Sequence, residues 1–403
     1  MTETPTPATP VATSPTAAPR RRVLLAITAY NGRDFLERTL RSALRIETTV
    51  ADLEIVVFDD ASPEEGFGEW LEKLCDSLGI GYYRTPRNLG IVRNVNLGLL
   101  YGRESEHDFV IISNSDVIYP QNLLTGMIAV ADSDETIGSV TAWSNNVSVY
   151  SLPNEQPDRL LADQETVDLV SSALNAHYGT GVVDVPAGIS FCILIPRRVL
   201  LEVGLMDPVF GRGYCEETDW TLRSKARGYR IAMSPGVFVY HAGQGSTLAA
   251  GLLSEGHTTV PANEAIIGMR YPLFRGQVQA FLNSSTLHEL YLWGASVVIR
   301  EAARQRGYRV DVGGLPRQGE SDHDVRVTID STGVTGAPVA RFRGFSAPIG
   351  HPELRGLDAV VAFFHDQKPR EVVLHDGGPG RAELLRQVDG FKVLDQVAYP
   401  ERV

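Results

Sequence analysis

The stretch "RVLLAITAYNGRDFLERTLRSAL" at residues 22–44 decides the fold class. The apolar run after Arg22 is typical of a strand that is buried on both faces of a parallel sheet. "AYNGRD" then supplies turn residues, and "FLERTLRSAL" places apolar residues at helical spacing. A strand, a short turn and a helix in this order predict the first unit of an α/β sheet.

The same alternation continues over the next hundred residues. Strand-like runs occur at 54–60, 80–84 and 108–116, and a helix-like segment follows each of them. Short loops between them predict a doubly wound, mostly parallel sheet. Ligands of such sheets bind beyond the carboxyl ends of the strands. The polar residues at these ends are Thr28, Tyr30, Asp59, Asp60, Asn114 and Asp116.

Composition narrows the class of protein. A net charge of −12 argues against a general nucleic-acid binder, which needs clustered Lys and Arg. The three cysteines form no CxxC pair, so we expect a reducing cytoplasm. No apolar run approaches the ~20 residues that span a bilayer. Arg20–Arg22 are basic and can contact acidic lipid headgroups at the inner face of a membrane, so we expect a peripheral membrane contact at most. The alternative is that they are a solubilising start to the first strand.

The segment "GRGYCEETDW" at 211–220 places Glu216, Glu217 and Asp219 within four positions. Carboxylates this close repel one another. The plain interpretation is an acidic first turn of a helix, which the helix dipole favours. A metal site and the acid–base group of an enzyme are the alternatives.

Five segments in order resemble the family 2 glycosyltransferases of the GT-A fold. They are "AITAYNG" (26–32), "VVFDDAS" (56–62), "RNLGIVRNVNLGL" (87–99), "IISNSDV" (111–117) and "YCEETDWTLR" (214–223). Each is weak alone, and the resemblance rests on their order and separation over residues 22–245. The "SNSDV" segment is similar to that of rhamnosyltransferase-like members.

The resemblance implies a divalent cation, Mn²⁺ or Mg²⁺, that offsets the charge of a diphosphate leaving group. Asp116 and His241 are its implied ligands. Asn114 stands where the family usually has the first Asp of an Asp-x-Asp motif. The alternatives are an Asp that opens the next turn and a hydrogen-bonded His at a strand end.

The resemblance also implies a donor site for a nucleoside-diphosphate sugar, with a dTDP- or UDP-linked sugar as the leading candidate. Its implied residues are Thr28, Tyr30, Asp59, Asp60, Asn88, Arg93, Asn114 and Ser115. Asp60 is favoured as the acceptor of the N3–H of the base, and a helix cap is its alternative. For Arg93, a solvated helix position is the alternative.

In the acidic segment the resemblance implies that Glu217 is the general base, at a position where the family more often has Asp. Glu216, Asp219 and Trp220 are the implied acceptor-binding residues. Asp219 at helical spacing from Arg223 can also form an ion pair, and Trp220 can face the core.

The resemblance divides the chain. Residues 1–20 are a predicted disordered tail rich in Pro, Thr and Ala, and residues 21–285 a GT-A domain. Its nucleotide-binding half is 21–142, and its acceptor-binding half, 143–285, starts with a less regular stretch up to 187. Residues 286–403 predict a small α/β module, for which dimerisation is the leading role and acceptor capture and partner docking are the alternatives.

The expected function is inverting sugar transfer to the hydroxyl of a glycan, a lipid-linked acceptor or a small molecule. A nucleotidyltransferase that makes a nucleotide sugar is one alternative, but "AYNGRD" lacks the Gly-rich basic loop of such enzymes. A non-catalytic sugar-binding protein is the other.

Overall fold

The computed structural model describes residues 20–147, 149, 151–152, 163–243, 260–312, 325–329, 339–348, 369–374 and 393–395. The predicted tail, apart from Arg20, lies outside the described residues.

The first half of the chain forms the predicted parallel units. Its elements are β1 (Arg21–Ala29), α1 (Arg33–Ala43), β2 (Ala51–Asp59), α2 (Phe67–Leu78), β3 (Gly81–Arg84), α3 (Ile91–Glu104) and β4 (Phe109–Asn114). These four strands are parallel in the order β3-β2-β1-β4. The mostly parallel α/β sheet predicted from the sequence is therefore confirmed.

The second half continues the same sheet with mixed directions. Its elements are β5 (Val117–Ile118), α4 (Leu123–Ser133), β6 (Ile137–Trp143), α5 (Gln164–Tyr178), β7 (Val183–Asp184), β8 (Cys192–Pro196), α6 (Arg197–Val203), a 3-10 helix (Pro208–Phe210), α7 (Glu216–Lys225), β9 (Arg230–Phe238) and β10 (Tyr240–His241). The complete order is β3-β2-β1-β4-β8-β6-β9-β7, and β8 is antiparallel to both of its neighbours. β5 and β10 pair in a separate two-stranded sheet.

Helix α3 lies unusually close to the sheet because two of its residues are glycines. A Cβ at Gly98 would stand 2.8 Å from the Cβ of Ala26, and one at Gly102 would overlap Val110. The close approach fixes α3 on β1 and β4, and it sets where the amino end of α3 meets the carboxyl edge of the sheet.

The remaining helices are α8 (Val260–Arg270), α9 (Phe274–Leu282) and α10 (Ser285–Arg306). They precede the strands β11 (Tyr308–Val312), β12 (Val325–Ile329), β13 (Val339–Phe342), β14 (Phe345–Pro348), β15 (Glu371–Leu374) and β16 (Val393–Asp395). These form a second sheet of order β14-β13-β12-β11-β15-β16. The predicted boundary between residues 285 and 286 lies within the first turn of α10, and the division into domains stays a prediction.

The two sheets share one apolar core through α10. Val298 and Ile299 of α10 are buried in the same cluster as Val170 of α5 and Phe342 of β13. At about 25 cal/mol per Å² of buried apolar surface, such side chains each contribute roughly 1.5–3 kcal/mol. The C-terminal sheet is thus packed onto α5 through this helix.

Candidate active site

The carboxyl ends of β1, β2 and β4 meet at one edge of the large sheet. Thr28 lies beside Asn114 in the β1–β4 register, and Ala29 lies beside Asp59 in the β1–β2 register. Thr28 is buried, and its hydroxyl donates to the Ser113 carbonyl at 3.2 Å. Tyr30 follows β1 and is half-buried. The sheet therefore collects the predicted donor residues from different parts of the chain.

Asp59 has a structural role that corrects its assignment as a donor-binding residue. Its carboxylate is fully buried and accepts hydrogen bonds from the Ser62 hydroxyl at 2.6 Å and the Arg84 guanidinium at 2.8 Å. The Tyr82 hydroxyl donates to it at 3.1 Å. Burial, with the charge of Asp59 adding to it, raises the pKa of Tyr82 to about 12. Both carboxylate oxygens are occupied by protein donors, so Asp59 holds β2, β3 and their loops together.

Asp60 fixes the amino end of α3. Its buried carboxylate accepts from the backbone N–H groups of Leu89 at 2.7 Å and Gly90 at 2.8 Å. Asp60 therefore has the capping role that was the alternative to binding the base. The helix whose amino end it holds is α3, thirty residues away, and not the neighbouring α2. Asn88 is exposed and its side-chain oxygen also accepts from Gly90 N–H at 3.1 Å. Arg93 is exposed on α3.

Asp116 and His241 are brought together by the two-stranded sheet. β10 pairs with β5 so that His241 stands opposite Val117, next to Asp116. The His241 Nε2 atom lies 3.3 Å from Asp116 Oδ1 and 3.2 Å from Asn114 Nδ2. Ser115, between them, is buried, and its carbonyl accepts from the Thr39 hydroxyl at 2.9 Å.

The tautomer of His241 follows from its other ring nitrogen. Nδ1 lies 2.8 Å from the Asn146 carbonyl, to which it can only donate. In the neutral ring Nε2 is then a lone pair that faces the carboxylate of Asp116. Two electron-rich atoms at 3.3 Å repel unless a proton or a cation lies between them. Burial opposes protonation of His241, and the Asp116 carboxylate outweighs it and raises the His241 pKa.

The same atoms fit a divalent cation. Asp116 Oδ1 is buried without a hydrogen-bond partner, and an imidazole nitrogen and a carboxylate oxygen are common metal ligands. The oxygen and nitrogen of a side-chain amide are assigned from the surrounding hydrogen bonds. A half-turn of the Asn114 amide would place its oxygen where its nitrogen now faces His241. Among the described residues, no group of three or more His, Cys, Asp or Glu could hold a metal ion, so this centre has two such ligands and an amide.

The acidic segment sits at the amino end of α7. Glu216 is buried and its Oε2 atom lacks a hydrogen-bond partner, whereas Glu217 is half-buried. Burial and the adjacent Glu217 charge raise the pKa of Glu216 well above its ordinary value. Burial also raises the pKa of Glu217. Because two close carboxylates do not both ionise readily, the Glu216–Glu217 pair binds a proton more tightly than an isolated glutamate does.

Asp219 and Trp220 do not fit the prediction that they bind an acceptor, because neither side chain is exposed. Asp219 accepts from Arg223 Nε at 2.8 Å, as its helical spacing predicted, and from Arg270 Nη1 at 2.8 Å. The Trp220 ring is packed in the core, and its Nε1–H donates to the Gly204 carbonyl at 2.7 Å. Both residues hold α7 in place.

Two groups of residues near the site were not predicted from the sequence. Asn145 and Asn146, after β6, hold the backbone and the ring of His241. Asn263 and Arg270 of α8 bind the acidic segment from fifty residues away. The Asn-Asn pair at the end of an apolar run could have indicated the first group. Nothing local indicates the second, because its partners are distant carbonyl groups and a buried carboxylate.

The family model described as "Glycosyl transferase family 2" matches residues 25–182. This segment is therefore similar to glycosyl transferase family 2. It holds β1 to β6, α5 and the predicted donor residues, while Glu217 and His241 lie beyond the match. The GT-A type of fold follows, with a mixed sheet that is mostly parallel.

Two relatives with described activities align with more of the chain than the family model does. An undecaprenyl-phosphate mannosyltransferase of Micrococcus luteus is 24% identical over 243 residues, which is 58% of this chain and 90% of the relative. A polyprenol monophosphomannose synthase of Mycolicibacterium smegmatis is 25% identical over 229 residues, which is 55% of this chain and 79% of the relative.

Among solved structures, a mannosyltransferase of Pyrobaculum calidifontis in complex with GDP-Man and Mn²⁺ is 18% identical, with a TM-score of 0.46. The match covers 73% of this chain and 78% of that one. A likeness of this degree does not carry the ligands of that structure over to this chain.

The described helices also bear on membrane contact. In the part of the chain that the structure describes, every helix is too short or too polar to cross a bilayer.

Proposed function

We propose that this chain is an inverting glycosyltransferase that moves a sugar from a nucleoside-diphosphate sugar to a hydroxyl acceptor, with Glu217 as the general base. The observation that supports it most is the pair of carboxyl groups at the amino end of α7. Glu216 is buried and Glu217 is half-buried, and burial raises the pKa of both. A base whose pKa lies nearer to neutrality transfers protons efficiently.

The proposed reaction is a single displacement. The acceptor oxygen forms a bond to the anomeric carbon while its proton passes to a carboxylate oxygen of Glu217. The bond from the anomeric carbon to the diphosphate breaks, and its electron pair leaves with the diphosphate. In its protonated form, Glu216 can donate a hydrogen bond to the acceptor or to the Glu217 carboxylate.

A divalent cation would be held by Asp116 and His241, with Asn114 as a third group. When bound, such an ion offsets the negative charge of the departing diphosphate. The orphaned Asp116 oxygen and the Nε2 lone pair support this assignment. Thr28, Tyr30, Asn88, Arg93 and Ser115 remain proposed donor-site residues at the carboxyl edge of the sheet.

The two mannosyltransferase relatives favour a second acceptor, a polyprenyl phosphate. A phosphate oxygen is already an anion near pH 7, so its attack needs no general base. Retention of two carboxyl groups with raised pKa values argues for a neutral hydroxyl instead. The relatives also make mannose a candidate sugar beside the dTDP- and UDP-linked sugars that the "SNSDV" segment suggests.

One experiment separates these functions. UDP-, dTDP- and GDP-linked sugars are supplied with Mn²⁺, and nucleoside diphosphate release is measured with undecaprenyl phosphate or an octyl glycoside as acceptor. For the hydroxyl acceptor, Glu217→Gln is expected to lower kcat by about 10³-fold, within the range of general-base contributions. Glu216→Gln, the same change one residue away, is expected to raise the acceptor KM and to keep most of kcat.

The results decide between the proposals. The second acceptor class would be established if Glu217→Gln kept full activity with undecaprenyl phosphate and the wild type transferred no sugar to octyl glycosides. Undiminished transfer to a hydroxyl would remove Glu217 from the mechanism. For the metal, we expect the Mn²⁺-dependent part of the thermal shift caused by UDP to disappear in Asp116→Asn, while any Mn²⁺-independent shift stays. A chelator that changes neither the shift nor the rate would exclude the metal.

The acceptor-binding half, the dimer role of residues 286–403, and a cytoplasmic place at the inner face of a membrane also stay predictions. Size-exclusion chromatography with light scattering tests the dimer.

A further inference from the structure

The loop that leads into α7 has an unfavourable backbone. Tyr214 has a φ of 71° and Cys215 a φ of 72°, and both follow Gly213 at 134°. Left-handed conformations cost non-glycine residues roughly 1–2 kcal/mol each. Two of them in succession persist only when the surrounding structure holds them. Glu216 begins α7 directly after this bend, so the bend decides where the two carboxyl groups point.

Asn263 holds the bend from the first turns of α8. Its side-chain Nδ2 donates to the carbonyls of Phe210 at 3.0 Å, Gly213 at 2.8 Å and Tyr214 at 2.9 Å. An amide has two such hydrogens, so three carbonyls share them. Asn263 itself is buried. A single side chain thus binds carbonyl groups of both the 3-10 helix and the left-handed bend.

The other end of α8 is tied to α7. Arg270 Nη1 and the Tyr271 hydroxyl both donate to Asp219 Oδ1, at 2.8 Å and 2.9 Å. Asn263 is therefore attached to the segment before the candidate base, and Arg270 to the helix after it. Helix α8 is thus attached to the chain on both sides of Glu217.

We propose that Asn263 is a positioning residue for sugar transfer, because its amide holds the left-handed bend that aims the Glu217 carboxylate. The inference rests on the proposed function of Glu217. It assigns to α8 a part in the reaction that neither the family match, which ends at residue 182, nor the relatives describe.

The first test compares variants that differ in hydrogen-bond donors. Asn263→Asp keeps the shape but turns a carboxylate toward three carbonyls, and Asn263→Ser keeps one donor. We expect kcat to fall about 100-fold in Asn263→Asp, the loss typical of a misplacement near 1 Å, with a donor KM within about twofold of the wild type. The kcat of Asn263→Ser is expected to lie between that of the wild type and that of Asn263→Asp. The matched control is Asn122→Asp, whose Nδ2 donates to the Gly236 carbonyl at 3.3 Å, away from the bend.

The second test separates positioning from general damage. In the Glu217→Gln background, Asn263→Asp is expected to cause little additional loss, because a residue that acts through Glu217 has nothing left to position. Equal losses in both backgrounds would overturn the inference. Should Asn263→Asp fail to fold, the same cycle with Asn263→Ser decides the question.

A third measurement needs no ligand. Hydrogen exchange of the full-length chain should speed up at the amides of residues 211–217 in Asn263→Ser and stay unchanged there in Asn122→Asp. Unchanged exchange in both variants would overturn the inference. If the wild type transfers no sugar in the donor panel, the proposed function fails, and the exchange result still shows whether Asn263 holds the bend.

Discussion

Asp219→Asn should reveal that this residue is a structural anchor. Its carboxylate is fully buried and accepts charged hydrogen bonds from Arg223 and Arg270 and a neutral one from Tyr271. Removing one partner of a buried ion pair costs about 3–5 kcal/mol. The Arg223 and Arg270 side chains are 25% and 37% exposed, so water can partly replace the lost partner. We therefore expect the lower end of that range, about 3 kcal/mol.

The chain offers a matched control on the same arginine. Arg270 Nη2 also binds Asp207 at 2.8 Å, and the Asp207 side chain is 34% exposed. An ion pair at the surface is worth about 0.2–1 kcal/mol, so Asp207→Asn should cost at most about 1 kcal/mol. Both changes replace one carboxylate by an amide of the same shape. The difference between them isolates the effect of burial.

Thermal unfolding followed by circular dichroism measures both variants at one scan rate. At roughly 2 °C per kcal/mol for a large chain, Asp219→Asn should unfold about 6 °C below the wild type and Asp207→Asn within about 2 °C. Equal shifts in the two variants would refute the reasoning, since they would show that burial of the Asp219 carboxylate adds nothing.

Two further predictions concern stability. Because burial raises the folded-state pKa of Glu216, its contribution is present below the ordinary pKa near 4.3 and is lost as pH rises through the folded value. Glu216→Gln should therefore have the same free energy of unfolding as the wild type near pH 4 and be more stable by about 1–3 kcal/mol at pH 8. A difference in stability that does not grow with pH would contradict this. Gly102→Ala should cost about 1–3 kcal/mol because its methyl group would overlap Val110, whereas Gly268→Ala, with open space around it in α8, should be neutral or stabilising by up to about 1 kcal/mol. Denaturant unfolding of the pair measures both, and a Gly102→Ala variant as stable as Gly268→Ala would rule out the close packing of α3.

The sequence supported the first half of the fold well. Its strands are short apolar runs that end in polar residues, and its helices have clear apolar spacing, so β1 to β4 were predicted with small errors at their ends. The stretch after residue 143 misled because its start is rich in Asn, Ser and Pro, which concealed the 15-residue helix α5. The antiparallel β8 between β4 and β6 was also beyond local patterns, because strand direction depends on the connections and not on the strand itself.

The candidate site was predictable in its location but less so in its roles. Residue types at strand ends indicated the edge where Asn114 and Asp116 lie, since the carboxyl ends of parallel strands share one edge, and the family resemblance added His241. Which aspartate is available to a ligand depends on its partners. Asp59 and Asp219 looked like ligand-binding residues in the sequence, but arginines that are distant in sequence or one helical turn away occupy them. Asn263 escaped notice because its three partners are backbone carbonyls.

Through helix α10, the C-terminal sheet helps to exclude water from the apolar core that α5 shares with it. A chain that stopped at residue 284 would lack Val298 and Ile299, and it would leave the outer side of α5 and the neighbouring Trp143 open to water. Trp143 ends β6, two residues before Asn145, and Asn145 and Asn146 hold His241. Shortening the gene at this apparent domain border would thus loosen the supports of the proposed metal ligand from behind. Recombinant work on this enzyme should keep both sheets in one polypeptide.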